Sequence, residues 1–145
     1  MKKIKIAFTG PESSGKTTLS EWLSIHLSCG MIKEYAREYL SYDKAYTMYD
    51  INCMAEEQFK RNNSSNEMVV LDTEMLVMKI WCEEKYHKCS ESILLLLEKQ
   101  EIDCYFLCKP DIPWEADPLR ENSLDRDRLF DKYEQNLKEL GFPYH

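Results

Sequence analysis

The sequence predicts an α/β fold in which helices cover both faces of a parallel sheet. Three observations predict it. Short apolar runs alternate with longer stretches of helical periodicity, the pattern of strands joined by helical crossovers. The stretch Gly10-Pro11-Glu12-Ser13-Ser14-Gly15-Lys16-Thr17 fits G-x-x-x-x-G-K-[ST] and sits between one such run and one such helix. The chain has 145 residues, enough for one domain with a real core, and an ordinary globular composition. Together these specify a P-loop NTPase architecture: three layers, αβα, in a single domain over residues 1–145.

The elements follow in order. Residues 4–9 are an apolar run that reads as a buried strand, and an amphipathic helix is expected over 16–28. A short strand over about 31–33 precedes a polar, tyrosine-rich helical region from Ala36 to Arg61. Its apolar residues Ile51, Met54, Ala55 and Phe59 share one face. Asn62 to Asn66 is a loop by composition. Met68 to Leu71 is a buried strand that ends at Asp72, with a helix following over Leu76 to Lys85. Ser90 is a suitable N-cap for a helix through Gln100. Tyr105 to Cys108 is the next strand, and Lys109 to Ser123, with three prolines, is a loop. The last helix spans Leu124 to Leu140 with Phe130, Tyr133, Leu137 and Leu140 as its buried stripe. Gly30 and Gly141 each follow a helical pattern, as C-terminal caps do.

The chemistry of the glycine loop is specific. Glycine lets successive backbone N–H groups turn inward on phosphate oxygens, and the following helix directs its positive end at the same anion. Phosphate binding is therefore assigned to Gly10, Glu12, Ser13, Ser14, Gly15, Lys16, Thr17 and Thr18. Lys16 reaches the β- and γ-phosphates, and the Thr17 hydroxyl stands where Mg²⁺ is held. Asp72 ends an apolar strand, the position of a carboxylate that shares Mg²⁺ with that hydroxyl. It also fits a helix N-cap, and the two roles are compatible. Glu74 fits either support behind the metal or a helix-start acid.

In an open parallel sheet, ligands sit beyond the carboxyl ends of the strands. Glu34 follows the second strand, where a carboxylate can orient or deprotonate an acceptor hydroxyl, and Arg37 can hold an acceptor or a transferring phosphate. The same residues also fit a solvated helix start with i,i+3 or i,i+4 pairs, and spacing does not choose between the two. Arg120 lies in the proline-rich loop, where an arginine can close over a triphosphate. Arg126 and Arg128 at the start of the last helix read more simply as surface charge.

The formal net charge is −7, from 26 acidic and 19 basic residues. That balance argues against a general binder of nucleic acid or anionic membrane. The six cysteines form no C-x-x-C and no zinc spacing with the three histidines. They read as reduced, mostly buried thiols of a cytoplasmic protein. Lys2 and Lys3 run straight into the first strand, which argues against a signal peptide, and Ile93 to Leu97 is too short to span a bilayer.

The segments G-P-E-S-S-G-K-T, E-Y-A-R-E-Y, L-D-T-E and D-I-P-W-E-A-D-P-L-R resemble, in that order, NadR-type nicotinamide riboside kinase domains and their AAA-like ATPase relatives. The resemblance covers essentially the whole chain. It implies a sheet of order 2-3-1-4-5 with a lid, and ATP- and Mg²⁺-dependent transfer of the γ-phosphoryl group to the ribose 5′-hydroxyl of nicotinamide riboside. It places Gly10 to Thr18 at the phosphates and metal, Glu34 and Arg37 on the acceptor side, Asp72 on the metal side and Arg120 in the lid. Lys33 stands where some of these kinases have a stacking aromatic, a role open here to Tyr35, Tyr39 or Trp114. The fifth strand is expected to be missing or truncated, since the chain stops at Phe142-Pro143-Tyr144-His145. A regulatory ATP-binding or ATP-hydrolysing module, switching a protein partner, is the competing function.

Overall fold

The computed structural model describes residues 3–40, 45–111 and 125–145. Four strands form one sheet: β1 (Lys5–Thr9), β2 (Gly30–Ile32), β3 (Val69–Leu71) and β4 (Cys104–Leu107). Their spatial order is β2-β3-β1-β4, and every pairing is parallel. Between them run α1 (Lys16–His26), α2 (Ala36–Tyr39), α3 (Met48–Asn62), α4 (Met75–Tyr86) and α5 (Glu91–Lys99), and α6 (Arg126–Leu140) follows β4. The expected order therefore holds through its first four strands. Beside β4, on the side away from β1, Tyr144 makes a parallel bridge with Tyr105. There Tyr105 N donates to the Pro143 carbonyl at 3.1 Å and Leu107 N to the His145 carbonyl at 2.9 Å.

Side chains alternate across the sheet, as strand geometry requires. Ala7, Val69, Leu71 and Tyr105 face the main core, where they meet Ile51, Met54, Ile80, Ile93 and Leu137 from α3 to α6. Phe8, Val70 and Cys108 face the other way and pack with Leu23 of α1. Each fully buried aliphatic side chain contributes about 1.5–3 kcal/mol. The larger cluster therefore anchors the fold, and α1 closes the third layer.

Several local expectations change. The described part of the helical region from Ala36 holds two helices: α2 ends at Tyr39, where Leu40 turns extended, and α3 starts at Met48. A capping box opens α3: Thr47 N donates to Asp50 Oδ2 at 2.7 Å while the Thr47 side chain accepts from the N3 backbone. Gly30 opens β2 instead of capping α1, and Ser28, at φ 52°, takes the left-handed turn after that helix. Gly141 does cap α6, at φ 69°. Leu140 is 42% exposed, and the buried face of α6 is Leu129, Tyr133, Asn136 and Leu137. All six cysteines are free, but only Cys82 and Cys108 are buried. No described helix is long and apolar enough to cross a membrane.

Candidate phosphate and metal site

The carboxyl ends of β1 and β3 lie side by side, so the loops that leave them converge. Gly10 follows β1 at φ 138°, and a Cβ built there would stand 2.8 Å from the Cys108 carbonyl oxygen. Only glycine lets the loop pass this close to β4. Gly15, at φ 89°, turns the chain into α1. Ser14 Oγ donates to the Pro11 carbonyl at 2.6 Å, which braces the loop from inside. Lys16 Nζ donates to the carbonyls of Gly10 and Pro11 at 2.8 and 3.0 Å, so its ammonium lies over the concavity.

Thr17 Oγ1 donates to Asp72 Oδ2 at 2.8 Å, joining the first turn of α1 to the end of β3. Asp72 is 3% exposed. Burial pushes its carboxyl above the usual range and Glu34 adds to the rise. The Thr17 hydrogen bond and the charges of Lys16 and Arg37 oppose it. Glu34 and Arg37 are thus electrostatic neighbours of Asp72, although they follow a different strand. Arg37 Nε also lies 3.4 Å from Glu34 Oε2, so this pair forms the i,i+3 ion pair of a helix start while both charges act on Asp72. A hydroxyl and a carboxylate oxygen suit Mg²⁺, which keeps waters and takes phosphate oxygens in place of a full protein cage. Among the described residues, no three His, Cys, Asp or Glu side chains cluster as a metal cage.

Behind the loop, Glu74 is fully buried and is the side-chain cap of α4. Its carboxylate accepts from Leu76 N at 2.7 Å, from Thr9 Oγ1 at 2.8 Å and from Gln100 Nε2 at 2.9 Å. The helix-start reading of Glu74 therefore holds, and the cap of α4 is Glu74 and not Asp72. Through Thr9 the same carboxylate also ties the end of β1 to the start of α4. Burial raises its pKa, against the pull of the hydrogen bonds it accepts.

The surface-charge reading of Arg126 does not hold. Its Nη1 donates to the Ser13 carbonyl at 3.1 Å, which brings α6 onto the phosphate loop. Arg128 instead pairs with Glu84 on α4. Tyr35 and Tyr39 meet edge to face at 5.9 Å, and Tyr39 OH donates to Asp50 Oδ1 at 2.8 Å. Trp114 and Arg120 lie outside the described residues. Periodicity passed over Gln58, and composition placed Asn62 in a loop, yet α3 runs through Asn62 and buries both, at 1% and 4% exposure, on its inner face. A polar pair at i,i+4 on a face that also carries Ile51, Met54 and Ala55 was their only signal.

Residues 5–145 match the family model of an AAA domain, AAA_28. The trifunctional NAD biosynthesis/regulator protein NadR of Salmonella typhimurium is 27% identical over 96% of this chain. Its Escherichia coli counterpart is 26% identical over the same share. The chain spans 37% of the length of these curated relatives. Among solved structures, a NadR protein in complex with NAD and AMP-PNP superposes with a TM-score of 0.71 at 23% identity, over 96% of this chain and 41% of that one. A deoxyadenosine kinase from M. mycoides superposes with a TM-score of 0.67 at 18% identity, over 98% of this chain and 88% of that one. These likenesses establish a fold shared with nucleoside and nucleotide kinases.

Proposed function

The chain belongs to the AAA domain family AAA_28, and from that premise we propose that it is an ATP- and Mg²⁺-dependent kinase acting on the 5′-hydroxyl of a nucleoside. Nicotinamide riboside, giving nicotinamide mononucleotide for NAD salvage, is the acceptor we propose. The similarity to NadR over 96% of the chain supports it. The observation that carries the kinase reading is the Thr17–Asp72 hydrogen bond beside the Lys16 ammonium. It sets two oxygen donors for a metal next to a cradle for phosphate.

The roles we propose combine the arrangement of the described residues with the segment resemblance. The P-loop amides and Lys16 hold the triphosphate, and Thr17 and Asp72 hold Mg²⁺. Mg²⁺ bound between these two oxygens would neutralise charge on the phosphate oxygens. Glu34 accepts the proton of the acceptor hydroxyl as its oxygen bonds to the γ-phosphorus. The bond from that phosphorus to the bridging oxygen breaks, and ADP leaves. Arg37, and Arg120 from the loop, stabilise the charge around the in-line transfer. Tyr35, Tyr39 and Trp114 are the candidates for stacking on the acceptor base. The single domain over residues 1–145 is proposed as the unit that performs this reaction, in the cytoplasm and with neither nucleic acid nor membrane as partner.

The test is phosphorylation with ATP and Mg²⁺ across a nucleoside panel that includes nicotinamide riboside, with Lys16→Ala as the blank. Transfer to nicotinamide riboside that the blank lacks is the expected result. Transfer to another nucleoside alone keeps the kinase and changes the acceptor. Tight ATP binding with no transfer to any nucleoside overturns the kinase reading in favour of a regulatory nucleotide-binding module.

A further inference from the structure

The backbone that carries Glu34 leaves the sheet at its edge. β2 is an outer strand, and its last ladder bond to β3 is Asp72 N donating to the Ile32 carbonyl at 3.0 Å. Beyond Ile32 the sheet no longer sets where residues 33–35 lie relative to Asp72. The bonds that replace the ladder come from α3. Gln58 Oε1 accepts from Tyr35 N at 2.7 Å, and Gln58 Nε2 donates to the Lys33 carbonyl at 3.1 Å. One side-chain amide thus grips the peptide groups on both sides of Glu34. The second Nε2 hydrogen goes to Asn62 Oδ1 at 3.0 Å, and Asn62 Nδ2 donates to the Thr73 carbonyl at 3.1 Å, one residue beyond Asp72.

We propose that Gln58 and Asn62 are positioning residues, a buried amide relay on α3 that holds Glu34 in register with Asp72. The proposal rests on the phosphotransfer reading for its chemical consequence. Its physical basis is independent of that reading. The two residues are one helical turn apart and face the same way. Both are buried, and a buried amide is costly unless its donors and acceptors are paired. This pair is joined into a chain that links two loops of the site. A side-chain bridge of this kind adds little to an apolar core but fixes geometry, since each amide accepts and donates in set directions. Arg61, on the next turn, supports the same segment: its guanidinium lies 4.3 Å above the Tyr35 ring and its Nη1 pairs with Glu38.

The experiment compares wild type, Gln58→Met, Asn62→Leu, Glu34→Gln and the double variant Gln58→Met/Glu34→Gln, using ATP, Mg²⁺ and nicotinamide riboside or the best nucleoside of the panel. Gln58→Met should lower kcat about 10- to 100-fold while KM for ATP stays within about twofold, because the displaced group is on the acceptor side. In the Glu34→Gln background the same substitution should lower kcat by no more than about twofold further, since the group it positions has already lost its proton-accepting role. An equal further loss there would show that Gln58 acts on general stability, and would overturn the proposal. Asn62→Leu should follow the same pattern, which covers failure of the Gln58 variant to fold. If wild type transfers to no nucleoside, the function fails on its own terms and the relay is read by amide hydrogen exchange. A Tyr35 amide that exchanges at least about tenfold faster in Gln58→Met sustains it. An unchanged rate overturns it.

Discussion

Lys16, Thr17 and Asp72 each depend on their neighbours for what they can do. The Lys16 ammonium is held over the loop by two backbone carbonyls, and phosphate oxygens would compete for the same donor hydrogens. Lys16→Ala should therefore lower turnover at least about 100-fold, measured as phosphoryl transfer at saturating ATP. Glu34→Gln keeps the shape of the side chain and removes its charge, so kcat should fall more than ATP affinity does. A variant with wild-type kcat would rule out Glu34 as the proton acceptor. Gly10 tests the loop itself. Alanine there meets both a left-handed φ and a carbonyl oxygen at 2.8 Å, so Gly10→Ala should cost about 1–3 kcal/mol in denaturant unfolding. The nearby Cys108 thiol, which burial pushes up to about 11, packs with Phe8 and Val70 just beyond the end of β4.

Between elements, the contact of α4 with α6 is the one that pH should reveal. Glu84 on α4 takes Arg128 and, at 3.0 Å, Lys132 from α6. The hydrogen bond from Arg128 depresses the Glu84 carboxyl below its ordinary value of 4.5, against the opposing effect of burial. The unfolded chain therefore binds that proton more tightly than the folded one. The stabilisation is full above the ordinary value and is lost as pH falls through the folded value. The Tm difference between wild type and Glu84→Gln should accordingly be positive at neutral pH and shrink as pH is lowered below 4.5. A difference independent of pH would mean that the pair contributes packing alone. The capping box of α3 has a related role: it fixes where the helix begins, and hence which residues, Gln58 and Asn62 included, face the core.

Across the whole molecule, the site is assembled from segments far apart in the chain. Thr9 meets Glu74, Thr17 meets Asp72, and Arg126 meets Ser13. Such an arrangement couples ligand binding to global stability. ATP with Mg²⁺ at about 100 times its Kd should stabilise the fold by about 2.7 kcal/mol, seen as a rise in Tm. At that same ATP concentration the rise should be smaller in Arg126→Ala, because the α6 contact to the phosphate loop is gone and ATP binds less tightly. An undiminished rise would make the Arg126–Ser13 contact a packing detail unconnected to nucleotide.

Much of this was legible in the residues themselves. The glycine loop is local in sequence, and its backbone requirement can be read at Gly10 and Gly15 directly. The strand ending in Asp72 and the helices on either side follow from periodicity, because burial of a face repeats at fixed intervals. The parallel order through β4 agrees with what the segment resemblance implied. Long-range polar partners were not legible. Periodicity says that a position faces inward but not what it meets there, so Gln58 looked like an ordinary polar residue, Asn62 like the first residue of a loop, and Arg126 like surface charge. Glu74 had two equal readings until its carboxylate was seen to reach Thr9, 65 residues earlier in the chain. Hydrogen bonds act over about 3 Å and need both partners in place. Which donor meets which acceptor is therefore set only when the sheet, α3 and α6 have packed around one another.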